Sequence, residues 1–264
     1  EKEKEKEKEK EKEKESDVPD IVVFPELFLG GYNAADLHFG VEGEGNSHTR
    51  KLQEIVKKHK VAVCAGWVEH TNPPSNKLKN MSLILNKEGE IILSHTKTHL
   101  WEGFENQHFV EGDSLPGVVT LCGVKISTII CYEVEFPEIV REMRNKGTEV
   151  LFVPTGVCYV PSPSSPSANP SSSEPLSMMT KTLVPCRALE NNIYICYVNR
   201  AGQEGEMNFI GESLIVSPLG TIITQLPPHV PTLSEVFELK SSEIETASKR
   251  NPYRRDFRPQ ILQK

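Results

Sequence analysis

Short apolar runs that alternate with amphipathic stretches constrain the fold of this chain more than any other feature of its sequence. Two stretches place their apolar side chains on one face of a helix, namely Ser47–His59 and Phe136–Lys146, and Ser177–Asn191 is a third candidate helix. Because strands and helices alternate along the chain, the sequence predicts an α/β fold. The predicted strands, which are rich in apolar and β-branched residues, are Ile21–Phe24, Val61–Val68, Met81–Leu85, Glu90–His95, Val124–Ile130, Val150–Val153, Ile193–Val198, Ser213–Val216 and Thr221–Thr224.

Two short connections between neighbouring strands predict that the sheets are mixed. Residues 87–89 and 217–220 contain Gly or Pro and separate runs that are long enough for strands. Such connections favour β-hairpins, in which the two strands are antiparallel. We therefore expect antiparallel pairs beside the parallel pairs that strand–helix alternation favours.

The two ends of the chain differ in composition from the region between them. Glu1–Glu15 is a strict Glu-Lys alternation, so residues four apart carry the same charge and destabilise a helix. The sequence predicts a disordered low-complexity tract over residues 1–16 and one folded domain over 17–250. Within that domain, the Ser/Pro-rich residues 158–175 predict a flexible loop, and residues 251–264 predict an extended C-terminal arm.

Charge and cysteine usage exclude several classes of function. The net charge is −7 and the domain lacks an extended basic cluster, which excludes a duplex nucleic acid as a partner. The six cysteines show neither C-x-x-C nor zinc-finger spacing, and several lie inside apolar runs, so we expect reduced thiols in a cytoplasmic protein. No apolar stretch reaches the length of a membrane-spanning helix, which predicts no membrane partner.

Cys131 is a candidate nucleophile because of its place between a predicted strand and a predicted helix. It follows the run Val124–Ile130 and precedes Phe136–Lys146. At such a junction the chain turns sharply, and the N-terminus of the helix is expected to expose the thiol and lower its pKa. The alternative is a small core residue at the end of a strand, which is a common setting for a free cysteine.

Glu26 and Lys97 are the candidate partners of the cysteine. Glu26 follows an apolar strand and Pro25, and a carboxylate desolvated at the end of a buried strand is suited to act as a base. A solvated loop residue is the alternative for Glu26, and an ordinary surface lysine is the alternative for Lys97. Taken singly, none of the three positions establishes a site.

Three blocks that contain these residues resemble the signature blocks of the nitrilase superfamily, also called the carbon–nitrogen hydrolases. The blocks are Phe24-Pro25-Glu26-Leu27-Phe28, Lys97-Thr98-His99-Leu100 and Cys131-Tyr132-Glu133-Val134-Glu135-Phe136-Pro137-Glu138. Further segments match in the same order, namely residues 185–192, 199–200, 211–213 and 218–220. The resemblance extends over roughly residues 20–225, which is most of the predicted domain.

The resemblance implies a catalytic triad and a mechanism without a cofactor. It implies that Cys131 attacks as a thiolate, that Glu26 transfers protons, and that Lys97 and the backbone N–H of Tyr132 stabilise the tetrahedral intermediate. No metal ion and no organic cofactor is implied. Tyr132 and Trp101 flank the triad in sequence and are candidate substrate-binding residues.

Many members of the family carry a second glutamate after the lysine, and two residues compete for this position. Glu105 matches by its distance to Gly112, and Glu102 is the alternative. Such a residue would orient Lys97 or position the substrate. A solvated loop residue is the third possibility for either glutamate.

The resemblance also implies a four-layer α-β-β-α sandwich that dimerises back to back. Members of the family begin with a strand and a helix ahead of the Phe-Pro-Glu block, where this chain carries the Glu-Lys tract. We therefore expect an open sheet edge at this point.

Three functions are compatible with the motifs. The first is hydrolysis of a small linear amide or N-carbamoyl compound, because the block that begins at Cys131 resembles the amidase branch. The second is hydrolysis of a nitrile with the same triad. The third is a catalytically silent interaction module, because the usual N-terminal strand and helix are absent from this sequence.

Overall fold

A computed structural model describes residues 18–32, 47–71, 77–101, 103–159 and 174–261 of the chain. Two mixed sheets form its centre. One sheet has four strands in the order β1-β2-β3-β4, with β1 parallel to β2 and the other pairs antiparallel. Its strands are β1 (Ile21–Val23), β2 (Ala62–His70), β3 (Leu78–Leu85) and β4 (Ile91–Thr96).

The second sheet has six strands and contains the parallel pairs β6–β7 and β7–β9. Its spatial order is β13-β12-β9-β7-β6-β5, and the outer pairs are antiparallel. The strands of this sheet are β5 (Val119–Leu121), β6 (Val124–Thr128), β7 (Val150–Thr155), β9 (Tyr194–Asn199), β12 (Leu214–Val216) and β13 (Ile222–Gln225). A small third sheet joins β8 (Cys158–Tyr159), β10 (Ala201–Glu204) and β11 (Met207–Ile210).

Helices cover the outer faces of the two large sheets. The helices are α1 (Ser47–His59), α2 (Phe104–His108), α3 (Pro137–Asn145), α4 (Glu174–Asn191), α5 (Ser241–Arg250) and α6 (Tyr253–Asp256), with 3₁₀ turns at Cys131–Glu135 and Pro259–Ile261. Helix α1 packs Leu52 and Val56 against residues of β2 and β3, whereas α3 and α4 pack against the six-stranded sheet.

Successive side chains of β7 point to opposite faces of the six-stranded sheet, and both faces are buried, which explains why the strand is apolar up to Val153. Leu151 and Val153 of β7 contact the helix layer, while Val150 and Phe152 face the other large sheet and pack with Cys64 of β2. A strand that is covered on both faces needs apolar side chains at every position. The layers are therefore helix, sheet, sheet and helix, which confirms the predicted α-β-β-α sandwich.

Both predicted hairpins are confirmed. β3 and β4 are antiparallel around a turn in which the Gly89 N–H donates to the Asn86 carbonyl oxygen over 2.9 Å. β12 and β13 are antiparallel around a turn closed by the Gly220 N–H and the Ser217 carbonyl oxygen, also over 2.9 Å.

The structure differs from the sequence prediction at the C-terminal end and leaves other segments outside its described part. Residues 251–261 form the helix α6 and a 3₁₀ turn instead of an extended arm, because Pro252 and Pro259 each begin a short helical turn. The predicted tract at residues 1–16 and most of the predicted loop at 158–175 lie outside the described residues.

Strand β1 is an edge of its sheet among the described strands. A groove of about 1280 Å³ runs beside it and is lined by residues of β1, β9, β12 and the segment 226–239. Glu26, Lys97 and Cys131 do not line this groove. The open edge and the candidate triad are therefore separate features of the fold.

Candidate active site

Glu26 lies in the turn that follows β1, and its side chain is completely buried. Its backbone N–H donates to the Thr155 carbonyl oxygen at the end of β7 over 3.4 Å. On the other side, the Glu26 backbone packs directly against Gly66 of β2. Only a glycine fits there, since a Cβ atom at position 66 would lie 2.7 Å from the Cα of Glu26. The close contact with a glycine therefore sets the position of the carboxylate.

Lys97 follows β4 and is also completely buried. Its Nζ donates to Glu26 Oε1 over 2.8 Å and to Glu105 Oε1 over 2.6 Å. Burial alone would lower the pKa of Lys97, but the charges of Glu26 and Glu105 outweigh it and raise the pKa above its usual value. The lysine is therefore a buried cation that is held by two carboxylates.

Glu105 lies on α2 with 5% of its surface exposed, and its second oxygen accepts the Trp101 N–H over 2.7 Å. Burial raises its pKa to about 7, although the neighbouring Lys97 acts in the opposite direction. Of the two glutamates considered from the sequence, Glu105 is the one that the structure places against Lys97. Glu102 lies outside the described residues.

Cys131 begins the 3₁₀ turn between β6 and α3, at the predicted strand-to-helix junction. Its φ of 48° lies in the left-handed region, which is uncommon for a residue with a side chain. The Gly156 N–H donates towards its sulfur, and the charges of Glu26, Lys97 and Glu105 all act on the thiol. The structure thus brings the four predicted residues together at one site.

The predicted effect of the junction on the Cys131 thiol is wrong in direction. Burial, followed by the charge of Glu26, raises the pKa of Cys131 well above its usual value. The charge of Lys97 and the hydrogen bond from the Gly156 N–H lower the pKa, but they do not outweigh these effects. Because its pKa is raised, the resting thiol is neutral and requires a base before it can attack.

Trp101 and Tyr132, the predicted substrate-binding residues, meet at the site. Their ring centroids are 4.9 Å apart with the planes perpendicular, and Trp101 is 52% exposed. Tyr132 packs in the same way against Phe136, again at 4.9 Å. An aromatic surface therefore adjoins the cysteine.

Two buried side chains at the site were not identified from the sequence. Asn80 of β3 donates from Nδ2 to Glu26 Oε1 over 2.7 Å. The Tyr32 ring is buried, and the charges of Glu26 and Cys131 act on its hydroxyl group. For Asn80 the signal is its place directly before the predicted strand Met81–Leu85, because a buried amide needs a polar partner. Tyr32 gave no comparable signal.

No group of His, Cys, Asp and Glu within the five described ranges could hold a metal ion. In the same ranges, no helix combines the length and the apolar character that are needed to cross a membrane.

Comparison with known proteins identifies the family. The family model for carbon-nitrogen hydrolase matches residues 13–242. The 2-oxoglutaramate amidase of Bacillus subtilis (strain 168) is 32% identical over 208 residues, which cover 78% of this chain and 73% of that protein. An (R)-stereoselective amidase of Pseudomonas sp is 30% identical over 242 residues, which cover 90% of this chain and 80% of that protein.

Solved structures give the same result. The NitN amidase from Nesterenkonia sp. AN1 matches with a TM-score of 0.73 and 26% identity, covering 92% of this chain and 85% of that one. A mutant of this amidase carries the acetamide moiety of fluoroacetamide covalently on its active-site cysteine and matches with a TM-score of 0.69 and 25% identity, covering 92% of this chain and 82% of that one. This chain therefore belongs to the carbon–nitrogen hydrolases of the nitrilase superfamily, on the amidase-like branch.

Proposed function

We propose that the protein hydrolyses the carbon–nitrogen bond of a linear amide or N-carbamoyl compound through a thioester on Cys131. The observation that carries the proposal is the buried Lys97 ammonium, which contacts the carboxylates of Glu26 and Glu105 beside the thiol. Burying these charges has a large desolvation cost, and a catalytic role explains why the site retains them.

Glu26 is the proposed base. Its Oε1 atom accepts hydrogen bonds from both Lys97 and Asn80, whereas Oε2 is buried without a hydrogen bond of good geometry among the described residues. Oε2 is therefore the oxygen available to take the proton of the Cys131 thiol. Because the pKa of that thiol is raised, proton transfer and attack belong to the same step.

The first half of the reaction forms the thioester. The Cys131 sulfur bonds to the carbonyl carbon while Glu26 takes the thiol proton, and the carbonyl oxygen gains the negative charge. The Lys97 ammonium and the Tyr132 backbone N–H are the proposed donors to this oxygen. When the carbon–nitrogen bond breaks, Glu26 returns the proton to the nitrogen, which leaves as ammonia or an amine.

The second half regenerates the enzyme. A water molecule gives a proton to Glu26 and attacks the thioester carbon through the same charged intermediate. Collapse of this intermediate breaks the carbon–sulfur bond and returns the proton to Cys131. The products are a carboxylic acid, or carbamic acid from an N-carbamoyl compound, and the free thiol.

The aromatic pair is the proposed wall of the substrate pocket. Trp101 and Tyr132 lie edge to face, and Tyr132 is bonded directly to the nucleophile residue. Two relatives of this chain are amide enzymes: one is a 2-oxoglutaramate amidase, and a double mutant of an amidase with a similar structure was solved in complex with acrylamide. These relatives support a small amide as the substrate class.

Ammonia release from a panel of aliphatic amides, N-carbamoyl amino acids and aliphatic nitriles tests the proposal. We expect release from at least one amide or N-carbamoyl compound by the parent and none by Cys131→Ala. Cys122→Ala is the matched control, because Cys122 is an exposed thiol that contacts Asp20 outside the site. Release by Cys131→Ala at the parent's rate would overturn the proposal, and release from nitriles alone would assign the second function considered from the sequence.

A further inference from the structure

The carboxylate of Glu133, two residues after Cys131, is completely buried and accepts hydrogen bonds from two separate segments. Its Oε1 atom accepts the Thr98 N–H over 2.8 Å and the Thr98 hydroxyl over 2.6 Å. Its Oε2 atom accepts the Ile130 N–H over 2.6 Å and bonds to His95 Nε2 over 2.8 Å. His95 is itself buried, whereas Thr98 is partly exposed.

These contacts join the residues on either side of the site. Thr98 directly follows Lys97, and Ile130 directly precedes Cys131. Since the two Glu133 oxygens bond to backbone N–H groups of both segments, the carboxylate sets the separation between the end of β4 and the turn after β6. Backbone motion in either segment would break at least one charge-assisted hydrogen bond.

Backbone geometry at Cys131 makes this support necessary. The residue has a φ of 48°, and a side chain in the left-handed region costs free energy that the surroundings must offset. The bond from the Ile130 N–H to Glu133 closes the first turn at that point. Without it, the thiol would be free to move away from the position that faces Glu26 and Lys97.

Electrostatics favour an ionised Glu133. Burial alone would raise its pKa, but the hydrogen bonds and charge of His95 and the two donors of Thr98 outweigh it, and the pKa lies below its usual value. A carboxylate can accept all of these hydrogen bonds at once, whereas an amide in the same place has only one oxygen.

We propose that Glu133 is a positioning residue that fixes the Cys131 thiol relative to the Lys97 ammonium. This inference rests on the proposed function, in which both groups act on the substrate. Glu133 does not touch the substrate, because its two oxygens are occupied by Thr98, Ile130 and His95.

The test compares Glu133→Gln with Glu138→Gln, a matched control because Glu138 is an exposed glutamate on the adjoining helix α3. In Glu133→Gln the NH₂ group must face either the Thr98 N–H or the Ile130 N–H, so one of these two hydrogen bonds is lost. We expect kcat to fall about 100-fold, as a displacement of about 1 Å in a reacting group does, with KM changed less than about threefold. The control variant keeps the parent's kcat.

A second readout does not depend on the substrate. The rate at which iodoacetamide alkylates Cys131, followed by the mass of the peptide that carries it, reports whether the thiol still lies against Glu26, the proposed base that takes its proton as the sulfur attacks. We expect this rate to fall about tenfold or more in Glu133→Gln, with the exposed Cys186 as an internal control within the same sample. If the parent hydrolyses no amide, the proposed function fails while this readout still tests Glu133.

Thr98→Val keeps the inference testable if Glu133→Gln does not fold. This substitution removes the Thr98 hydroxyl, which donates to Glu133 Oε1 over 2.6 Å, and leaves the Thr98 backbone N–H in place. We therefore expect a smaller fall, of about tenfold, in both kcat and the alkylation rate. Folded Glu133→Gln or Thr98→Val that alkylates Cys131 at the parent's rate would overturn the inference. So would a Glu133→Gln protein with lowered stability but the parent's kcat, because that result assigns Glu133 a purely structural role.

Discussion

The Nζ atom of Lys97 lies 2.8 Å from Oε1 of Glu26, although 71 residues separate the two in sequence. The four-stranded sheet explains the contact. Glu26 follows β1 and Lys97 follows β4, and between them Asn80 of β3 bonds to both, through its side chain to Glu26 and through its carbonyl oxygen to the Lys97 N–H. The sheet therefore holds the Lys97 ammonium against the carboxylate of Glu26, the proposed base.

Loss of the Asn80 amide is expected to impair proton transfer while the fold is retained. In Asn80→Ala, Glu26 Oε1 keeps only the bond to Lys97, so the carboxylate is less firmly held. We expect kcat for amide hydrolysis to fall about 10- to 100-fold. Asn106→Ala, at an exposed position on α2, is the control and is expected to match the parent. Equal kcat values for Asn80→Ala and the parent would contradict this role.

Glu105 is expected to make stability depend on pH in the neutral range. Its pKa in the folded protein is about 7, above the usual 4.5, so the folded state binds the proton more tightly than the unfolded state. The contribution of Glu105 to the free energy of unfolding is fully present below the unfolded pKa and is lost as the pH rises through about 7.

Melting temperatures of the parent and Glu105→Gln measure this contribution between about pH 5 and pH 8. We expect the Tm of the parent to decline relative to that of Glu105→Gln as the pH rises, since the amide does not titrate. Glu111→Gln, at an exposed position, is expected to follow the parent. A constant difference in Tm between the parent and Glu105→Gln across this range would rule out the raised pKa.

A side chain at position 66 is expected to displace the base. In Gly66→Ala the new Cβ would lie 2.7 Å from the Cα of Glu26, a contact that the backbone must move to relieve. We expect a loss of about 1–3 kcal/mol in the free energy of unfolding, together with a lower kcat. Gly117→Ala is the matched control, since its Cβ would meet Leu93 Cδ1 at 3.7 Å, an ordinary contact. Urea titration of both variants checks this, and equal midpoints would contradict it.

Local patterns predicted the elements of this fold better than they predicted the environment of the site. The helix at Ser47–His59 and the two hairpins follow from periodicity and turn residues, which are properties of neighbouring positions. The convergence of Glu26, Lys97 and Cys131 depends on contacts between distant segments, and only the resemblance to a family predicted it.

The pKa of Cys131 shows why the rest could not be predicted. Its place ahead of a helix is visible in the sequence and favours the thiolate, but its burial and its contact with the charge of Glu26 are tertiary properties that dominate. The role inferred for Glu133 is hidden for the same reason. Its hydrogen-bond partners Thr98 and His95 lie 35 and 38 residues away, at positions that only the assembled sheets bring together.

The central claim is that Cys131 carries the acyl group during turnover, and mass spectrometry of the acid-quenched enzyme tests it most directly. The parent is mixed with a saturating concentration of the best amide of the panel, quenched within the first turnovers and digested. We predict that the peptide containing Cys131 gains the mass of the acyl group less one hydrogen, and that Cys131→Ala shows no such gain on any peptide. Amide hydrolysis by the parent with an unmodified Cys131 peptide, or with the acyl group on another residue, would contradict the account.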